Sequence, residues 1–193
     1  MTGIILCGGK SSRMRSDKGL IQQVGKPWAL IAAEKINELG LNYFLSVNDT
    51  QYSDYSILFS TDKLIRDDTC INVYGPLLGI LSAHLAMPHE DLLVLACDMP
   101  LIQTTVIVQL LNSRQHQPAE AFVFTNDEAY EPLCAIYTSA GLAHIMKSVK
   151  ENKLSKHSLK YVLEQLSTYT MELLPEQKKQ FRNFNEPADL NDL

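Results

Sequence analysis

The chain has 193 residues, of which 46% are hydrophobic and 20% are charged, and its formal net charge at pH 7 is −5. This length predicts one globular domain over residues 1–193 with a sizeable apolar core. The acidic balance argues against a nucleic-acid-binding protein, and no apolar run is long enough to cross a membrane. The N-terminus lacks the features of a signal peptide and the four cysteines form no Cys-x-x-Cys pair. We therefore expect a cytoplasmic protein with reduced cysteines and no zinc site.

The predicted elements alternate between strand and helix, which is typical of an α/β protein with a mostly parallel sheet. The run at 92–96 is wholly apolar, and its length predicts a buried central strand. In chain order we predict strand 2–6, helix 27–39, strands 43–47 and 63–66, helix 76–86, strand 92–96, helix 104–111, strands 121–125 and 134–137, helices 139–150 and 156–167, strands 168–173 and 181–184, and a helical turn at 187–193.

The segment that follows the first strand, residues 5–18, reads Ile-Leu-Cys-Gly-Gly-Lys-Ser-Ser-Arg-Met-Arg-Ser-Asp-Lys. Gly8 and Gly9 allow a ligand to approach the backbone closely, and Arg13 and Lys18 suit phosphate charges. The kinase-type phosphate loop is excluded because isoleucine stands where its first glycine belongs. The dinucleotide-binding fingerprint is excluded because no Gly-x-Gly-x-x-Gly occurs here. At the carboxyl end of a strand, where α/β proteins place ligands, this segment predicts a polyphosphate site.

An aspartate, Asp98, directly follows the apolar strand in the run Cys-Asp-Met-Pro (97–100). Its position predicts a carboxylate at the carboxyl edge of the sheet. Mg²⁺ prefers hard oxygen ligands and is often held by one or two carboxylates together with substrate phosphates. Asp98 is therefore the best candidate for a Mg²⁺ ligand.

These motifs resemble those of the nucleotidyltransferases, whose signatures are Leu-x-Gly-Gly-x-Ser-x-Arg-Met-x-x-x-Lys and Cys-Asp-x-Pro. Gly-Pro-Leu-Leu-Gly (75–79) and Asn-Phe-Asn-Glu-Pro (183–187) resemble the molybdenum cofactor guanylyltransferases. The resemblance implies a single three-layer α/β/α domain with a Rossmann-like, mostly parallel sheet of the nucleotide-diphospho-sugar transferase type. It also implies Mg²⁺-dependent transfer of GMP from GTP to molybdenum-bound molybdopterin, with release of pyrophosphate.

The resemblance also implies roles for particular residues. Catalytic roles fall to Arg13, Lys18 and Asp98, metal binding to Asp98, acceptor binding to Asn183 and Asn185, and nucleotide binding to Leu6, Cys7, Gly8, Gly9, Lys18, Asn48, Asp68 and Asp98. The aspartate that contacts guanine is ambiguous by one residue. Spacing to Gly75 favours Asp68, whereas the preceding predicted strand also allows Asp67.

The sequence departs from the family signature at two positions, and three alternative functions remain to be distinguished. Cys7 replaces the common alanine and Arg15 the common glycine of the signature. The alternatives are a cytidylyltransferase for the same cofactor, another small-phosphate nucleotidyltransferase, and a non-catalytic nucleotide or molybdopterin carrier. The expected partners are GTP and molybdopterin, extending to molybdoenzyme apo-proteins and other cofactor-synthesis proteins.

Overall fold

The structure, a computed structural model, describes residues 1–8, 17–182 and 184. None of the helices in these ranges is long and apolar enough to cross a membrane. Short 3₁₀ turns lie at Lys18–Leu20, Thr61–Lys63 and Lys179–Phe181. The other elements are β1 Thr2–Leu6, β2 Gln22–Gln23, β3 Lys26–Pro27, α1 Trp28–Glu38, β4 Tyr43–Val47, α2 Tyr52–Leu58, β5 Leu64–Arg66, α3 Pro76–Ala86, β6 Leu92–Ala96, α4 Thr104–His116, β7 Ala121–Asn126, β8 Ala129–Tyr137, α5 Ser139–Lys150, α6 Leu159–Glu164, β9 Thr168–Glu172 and α7 Pro175–Lys178.

Seven strands form one sheet in the order β5-β4-β1-β6-β8-β7-β9, and β2 pairs with β3 in a separate hairpin. The pairs β5–β4, β4–β1, β1–β6 and β7–β9 are parallel, and β8 is antiparallel to both of its neighbours. The predicted mostly parallel sheet is therefore confirmed. As a consequence, β5, β4, β1 and β6 bring their carboxyl ends to the same edge of the sheet.

Helices cover both faces of the sheet, as the alternation of side chains along each strand requires. In β1, Ile5 packs into one core with α1, α2 and α4. Ile4 and Leu6 point to the opposite face and pack with α3, α5 and α6. The strand β6 is buried along its whole length, as its apolar run predicts. This arrangement confirms the expected three-layer α/β/α architecture.

The strand predicted at 181–184 is wrong in its described residues. Phe181 ends a 3₁₀ turn, and neither Arg182 nor Phe184 lies in a strand. The two aromatic rings pack into the core instead, with ring centroids 5.3 Å apart for Phe181 and Phe124 and 5.8 Å apart for Phe184 and Trp28. Apolar burial alone produced the strand-like pattern. The helical turn predicted at 187–193 lies outside the described residues.

The β2–β3 hairpin turns at Val24 and Gly25, whose φ angles are 50° and 75°. A β-branched residue is strained at positive φ, and Val24 is 98% exposed, so no burial offsets this strain.

We predict that Val24→Asn increases the free energy of unfolding by about 1 kcal/mol, because Asn-Gly is a favoured pair for such a turn. Chemical denaturation measures the change. The control Val24→Thr keeps the β-branch and should show no gain, and a destabilised Val24→Asn protein would contradict the prediction.

Candidate functional site

The site begins where three neighbouring parallel strands end. In the pairing register, Leu6 of β1 lies opposite Ser46 of β4 on one side and Ala96 of β6 on the other. The pairing continues one residue further, since the Cys7 amide donates to the Ser46 carbonyl (3.1 Å) and the Cys97 amide donates to the Leu6 carbonyl (3.1 Å). The residues that follow each strand are therefore held side by side at one edge of the sheet.

The predicted catalytic residues Lys18 and Asp98 meet at this edge. The Lys18 Nζ lies 2.7 Å from Asp98 Oδ2, and the two side chains are only 19% and 15% exposed. Lys18 opens a 3₁₀ turn and Asp98 follows β6, so the ion pair joins segments 80 residues apart. A cationic and an anionic group are thus held together in a partly desolvated position, where charge interactions are stronger than in water.

The donor set at Asp98 fits a divalent cation that also binds substrate oxygens. Asp98 supplies a hard carboxylate at a partly exposed strand end. Within residues 1–8, 17–182 and 184, no three His, Cys, Asp or Glu side chains form a cluster that could hold a metal ion. Mg²⁺ commonly takes one or two carboxylates and completes its octahedron with waters and phosphates, so a single aspartate can be the protein ligand of such a site.

A cavity of about 550 Å³ lies between these strand ends and the start of α3. This volume falls in the range of small-molecule sites. We refer to it as the Asp67 cavity; its walls are mostly apolar, with a few polar groups from β4 and the segment after β5. It is lined by Leu6, Gly8, Ser46, Asn48, Asp67, Tyr74, Gly75, Pro76, Leu78 and Gly79.

Two glycines in the Gly-Pro-Leu-Leu-Gly segment shape this cavity. Gly75 has a φ of 69°, a conformation that L side chains rarely adopt, and it directs the chain into α3. Gly79 lets α3 lie directly on the sheet, because a Cβ there would meet the Ser46 Oγ at 2.3 Å. The segment therefore brings the first turns of α3 against the ends of β1 and β4.

The structure separates the two adjacent aspartates. Asp67 lines the Asp67 cavity, and its Oδ1 accepts a hydrogen bond from the Ser46 hydroxyl (3.2 Å). Burial raises the pKa of the Asp67 carboxyl above its usual value. Asp68 instead accepts a hydrogen bond from the Cys70 amide (2.9 Å) and lines a separate cavity of about 360 Å³. Of the two aspartates, Asp67 therefore lines the cavity at the strand ends, whereas Asp68, which glycine spacing favoured as the guanine contact, does not line it.

Asn48 lines the Asp67 cavity and lies in the turn before α2, a helix that the sequence reasoning missed. Its Oδ1 accepts from the Gln51 amide (3.0 Å), while the Gln51 Oε1 accepts from the Asn48 amide (3.1 Å). This reciprocal arrangement has the pattern of a capping box and closes the turn that leads into α2, so the Asn-x-x-Gln spacing was the available signal.

Asp17 is a second feature that the sequence reasoning missed. Its carboxylate accepts hydrogen bonds from the Gly19 amide (3.0 Å), the Tyr55 hydroxyl (2.8 Å) and the Gln51 side-chain amide. These contacts fix the residue next to Lys18 along the chain. An aspartate before a short turn is a common cap, and this was the available signal.

Of the remaining predicted site residues, some line the Asp67 cavity, one does not, and others lie outside the described residues. Leu6 and Gly8 line the Asp67 cavity, whereas Cys7 is 5% exposed and does not line it. Gly9, Arg13, Asn183 and Asn185 lie outside the described residues, as does Arg15. All four cysteines are free, in agreement with the expected reduced state.

Partial burial of the Asp67 carboxylate has a consequence for stability. Because its pKa is higher in the folded than in the unfolded protein, folding loses stability as pH rises through this range. We predict that Asp67→Asn, which keeps the acceptor for Ser46, increases the free energy of unfolding at pH 7. The difference should shrink as the pH falls and Asp67 takes up a proton.

Urea denaturation at pH 7 and at acidic pH measures this difference. Asp68→Asn is the matched control, because the neighbouring side chain keeps its acceptor for Cys70 and should show no such gain. An Asp67→Asn protein that is less stable than wild type at pH 7 would contradict the prediction.

Comparison with known proteins agrees with this geometry. Residues 3–169 match the MobA-like NTP transferase domain. The chain is 31% identical to a probable molybdenum cofactor guanylyltransferase of Flavobacterium johnsoniae, over 100% of this chain and 96% of that protein. In fold it is similar to molybdopterin-guanine dinucleotide biosynthesis protein A from Archaeoglobus fulgidus, with a TM-score of 0.78, 21% identity and coverage of 100% and 96%.

A more distant fold neighbour is Rv0371c from Mycobacterium tuberculosis H37Rv, solved in complex with manganese. The TM-score is 0.58 and the identity 11%, over 89% of this chain and 87% of the other. This likeness concerns the fold alone. The match over most of the chain and the full-length similarity to the Flavobacterium relative establish that this protein belongs to the MobA-like NTP transferase family of nucleotidyltransferases.

Proposed function

We propose that the protein transfers GMP from GTP to the phosphate of molybdenum-bound molybdopterin, forming the guanine dinucleotide cofactor and releasing pyrophosphate. The observation that carries the proposal is the joint placement of the Asp67 cavity and the Lys18–Asp98 pair at one edge of the sheet. In this proposal the cavity takes the guanine base and the charged pair lies beside the polyphosphate of the same GTP molecule.

In this proposal the Asp67 carboxylate reads the base. Guanine presents the adjacent donors N1–H and N2–H₂, which a carboxylate accepts together, whereas adenine lacks N2–H₂ and cytosine has an acceptor at N3. The Ser46 hydroxyl holds one carboxylate oxygen, and apolar atoms of Leu6 and Pro76 line the walls beside it. A wrong base would leave the half-buried Asp67 unpaired, which is unfavourable.

The chemistry requires alignment and charge stabilisation more than acid–base catalysis. The acceptor phosphate is already a nucleophile, so the protein must place it in line with the α-phosphorus of GTP and stabilise the charge that grows on pyrophosphate. Lys18 supplies a positive charge at the proposed phosphate site. Asp98 would hold Mg²⁺, which when bound neutralises phosphate charge.

Other parts of the proposal rest on the family resemblance. Gly9 and Arg13 would complete the phosphate site, and Asn183 and Asn185 would contact the acceptor. We propose that the reaction takes place in the cytoplasm. We also propose that the product passes to molybdoenzyme apo-proteins, with other cofactor-synthesis proteins as further partners.

Pyrophosphate release with GTP, CTP, UTP or ATP, each with purified molybdenum-bound molybdopterin and Mg²⁺, tests the proposed function. We expect release with GTP above all other nucleotides. Preferential use of CTP would indicate a cytidylyltransferase instead. Tight binding of GTP without pyrophosphate release would indicate a carrier.

We predict that Asp98→Asn lowers turnover by about 100-fold or more while the protein stays folded. The amide keeps the shape of the side chain but loses the charge that pairs with Lys18 and would hold the metal ion. Pyrophosphate release at saturating Mg²⁺ measures the effect, and circular dichroism checks the fold. Near-normal turnover would remove Asp98 from the mechanism.

We predict that Asp67→Ala reduces the preference for GTP over ATP and CTP by about 10- to 100-fold, the effect of losing a charged hydrogen-bond acceptor. Ratios of kcat/KM for the three nucleotides measure the preference. Asp68→Ala is the control, since Asp68 lines the separate cavity, and should leave the ratios unchanged. Loss of preference in Asp68→Ala alone would show that the spacing argument, and not the geometry, identifies the base contact.

A further inference from the structure

The side-chain amide of Gln51 is buried and connects the two ends of the Gly-rich segment, by which we mean residues 7–17. Gln51 is 8% exposed. Its Nε2 donates to the Cys7 carbonyl (2.9 Å) and to the Asp17 carboxylate. Cys7 is the residue before the glycines of this segment, and Asp17 is the residue before Lys18. Neither partner is near Gln51 in sequence, since they are 44 and 34 positions away.

Tyr55, which lies in α2 one turn after Gln51, also donates a hydrogen bond to Asp17. The Tyr55 hydroxyl donates to Asp17 Oδ1 (2.8 Å), and the same oxygen accepts from the Gly19 amide (3.0 Å). Burial above all, together with the nearby acidic groups, raises the pKa of the Tyr55 hydroxyl far above its usual range. It therefore remains a donor at any physiological pH.

Gly19 makes this contact sterically possible. A Cβ at Gly19 would meet the Tyr55 hydroxyl oxygen at 2.0 Å. The glycine beside Lys18 thus lets the ring of Tyr55, which is fully buried, reach across the 3₁₀ turn to Asp17. The turn is consequently fixed at both of the residues that flank Lys18.

We propose that Gln51 and Tyr55 are positioning residues, which hold Asp17 relative to Cys7 and thereby fix the backbone from which Lys18 reaches Asp98. The inference rests on the proposed function, which gives Lys18 its role at the phosphates. The lysine side chain is long and flexible, so its charge is placed accurately only if its backbone is fixed. A displacement of about 1 Å at a catalytic group can cost on the order of 100-fold in rate.

The test compares Gln51→Met and Tyr55→Phe with wild type by steady-state pyrophosphate release. Both variants keep most of the side-chain volume and remove donors to Asp17. Tyr52→Phe is the matched control, because it deletes a hydroxyl from the same helix. The face of the Tyr52 ring packs against the Arg66 guanidinium at 3.6 Å, and this contact survives the loss of the hydroxyl.

We expect both variants to lower kcat by about 10- to 100-fold, and Tyr55→Phe to change KM for GTP by less than about threefold. Tyr52→Phe should behave as wild type. Introduced into a Lys18→Ala background, Tyr55→Phe should lower kcat by less than about twofold, because its effect operates through the lysine. If Gln51→Met fails to fold, Tyr55→Phe alone carries the test.

Two results would overturn the inference while leaving the proposed function intact. The first is an active wild-type protein whose folded variants retain full kcat. The second is an equal loss of kcat from Tyr55→Phe with and without Lys18, which would show a general structural effect. A wild-type protein that releases no pyrophosphate from GTP would overturn the proposed function and the inference together.

Discussion

The parallel register of β4, β1 and β6 is the constraint on which the site depends. Because these neighbouring strands end at the same edge, the residues after them meet although they are far apart in sequence. The Lys18–Asp98 ion pair then joins the segment after β1 to the end of β6. In the proposed reaction, charges already held together at the edge of the sheet would reduce the reorganisation that the reaction requires.

Partial burial of Asp67 links the proposed base selectivity to the stability of the fold. Desolvation raises the pKa of Asp67, so the charged form of this carboxyl lowers the free energy of unfolding, and this loss is a cost to the fold. A ligand that donates two hydrogen bonds to this carboxylate would offset that cost, whereas one that cannot donate would not. Under the proposed function, the same desolvation would favour guanine and would make the unliganded protein less stable than Asp67→Asn.

The sequence predicts much of the fold, because β6 is a continuous apolar run, β1 and β4 are mostly apolar, and α3 begins at a proline in the favoured first position. It misses α2, which buries few side chains and follows a turn held by the side-chain contacts of Asn48 and Gln51. The choice between Asp67 and Asp68 also escapes the sequence, because consecutive residues point to different sides of the chain. The side-chain partners of Asp17 lie 34 and 38 positions away, so no local pattern reveals them.

A crystal structure of the protein with GTP and Mg²⁺ tests the central claim most directly. The account predicts density for the guanine base in the Asp67 cavity, with N1 and N2 facing the Asp67 carboxylate, and for the phosphates beside Lys18 and Asp98. Density for the base in the cavity lined by Asp68, or for phosphates remote from the Lys18–Asp98 pair, would contradict it.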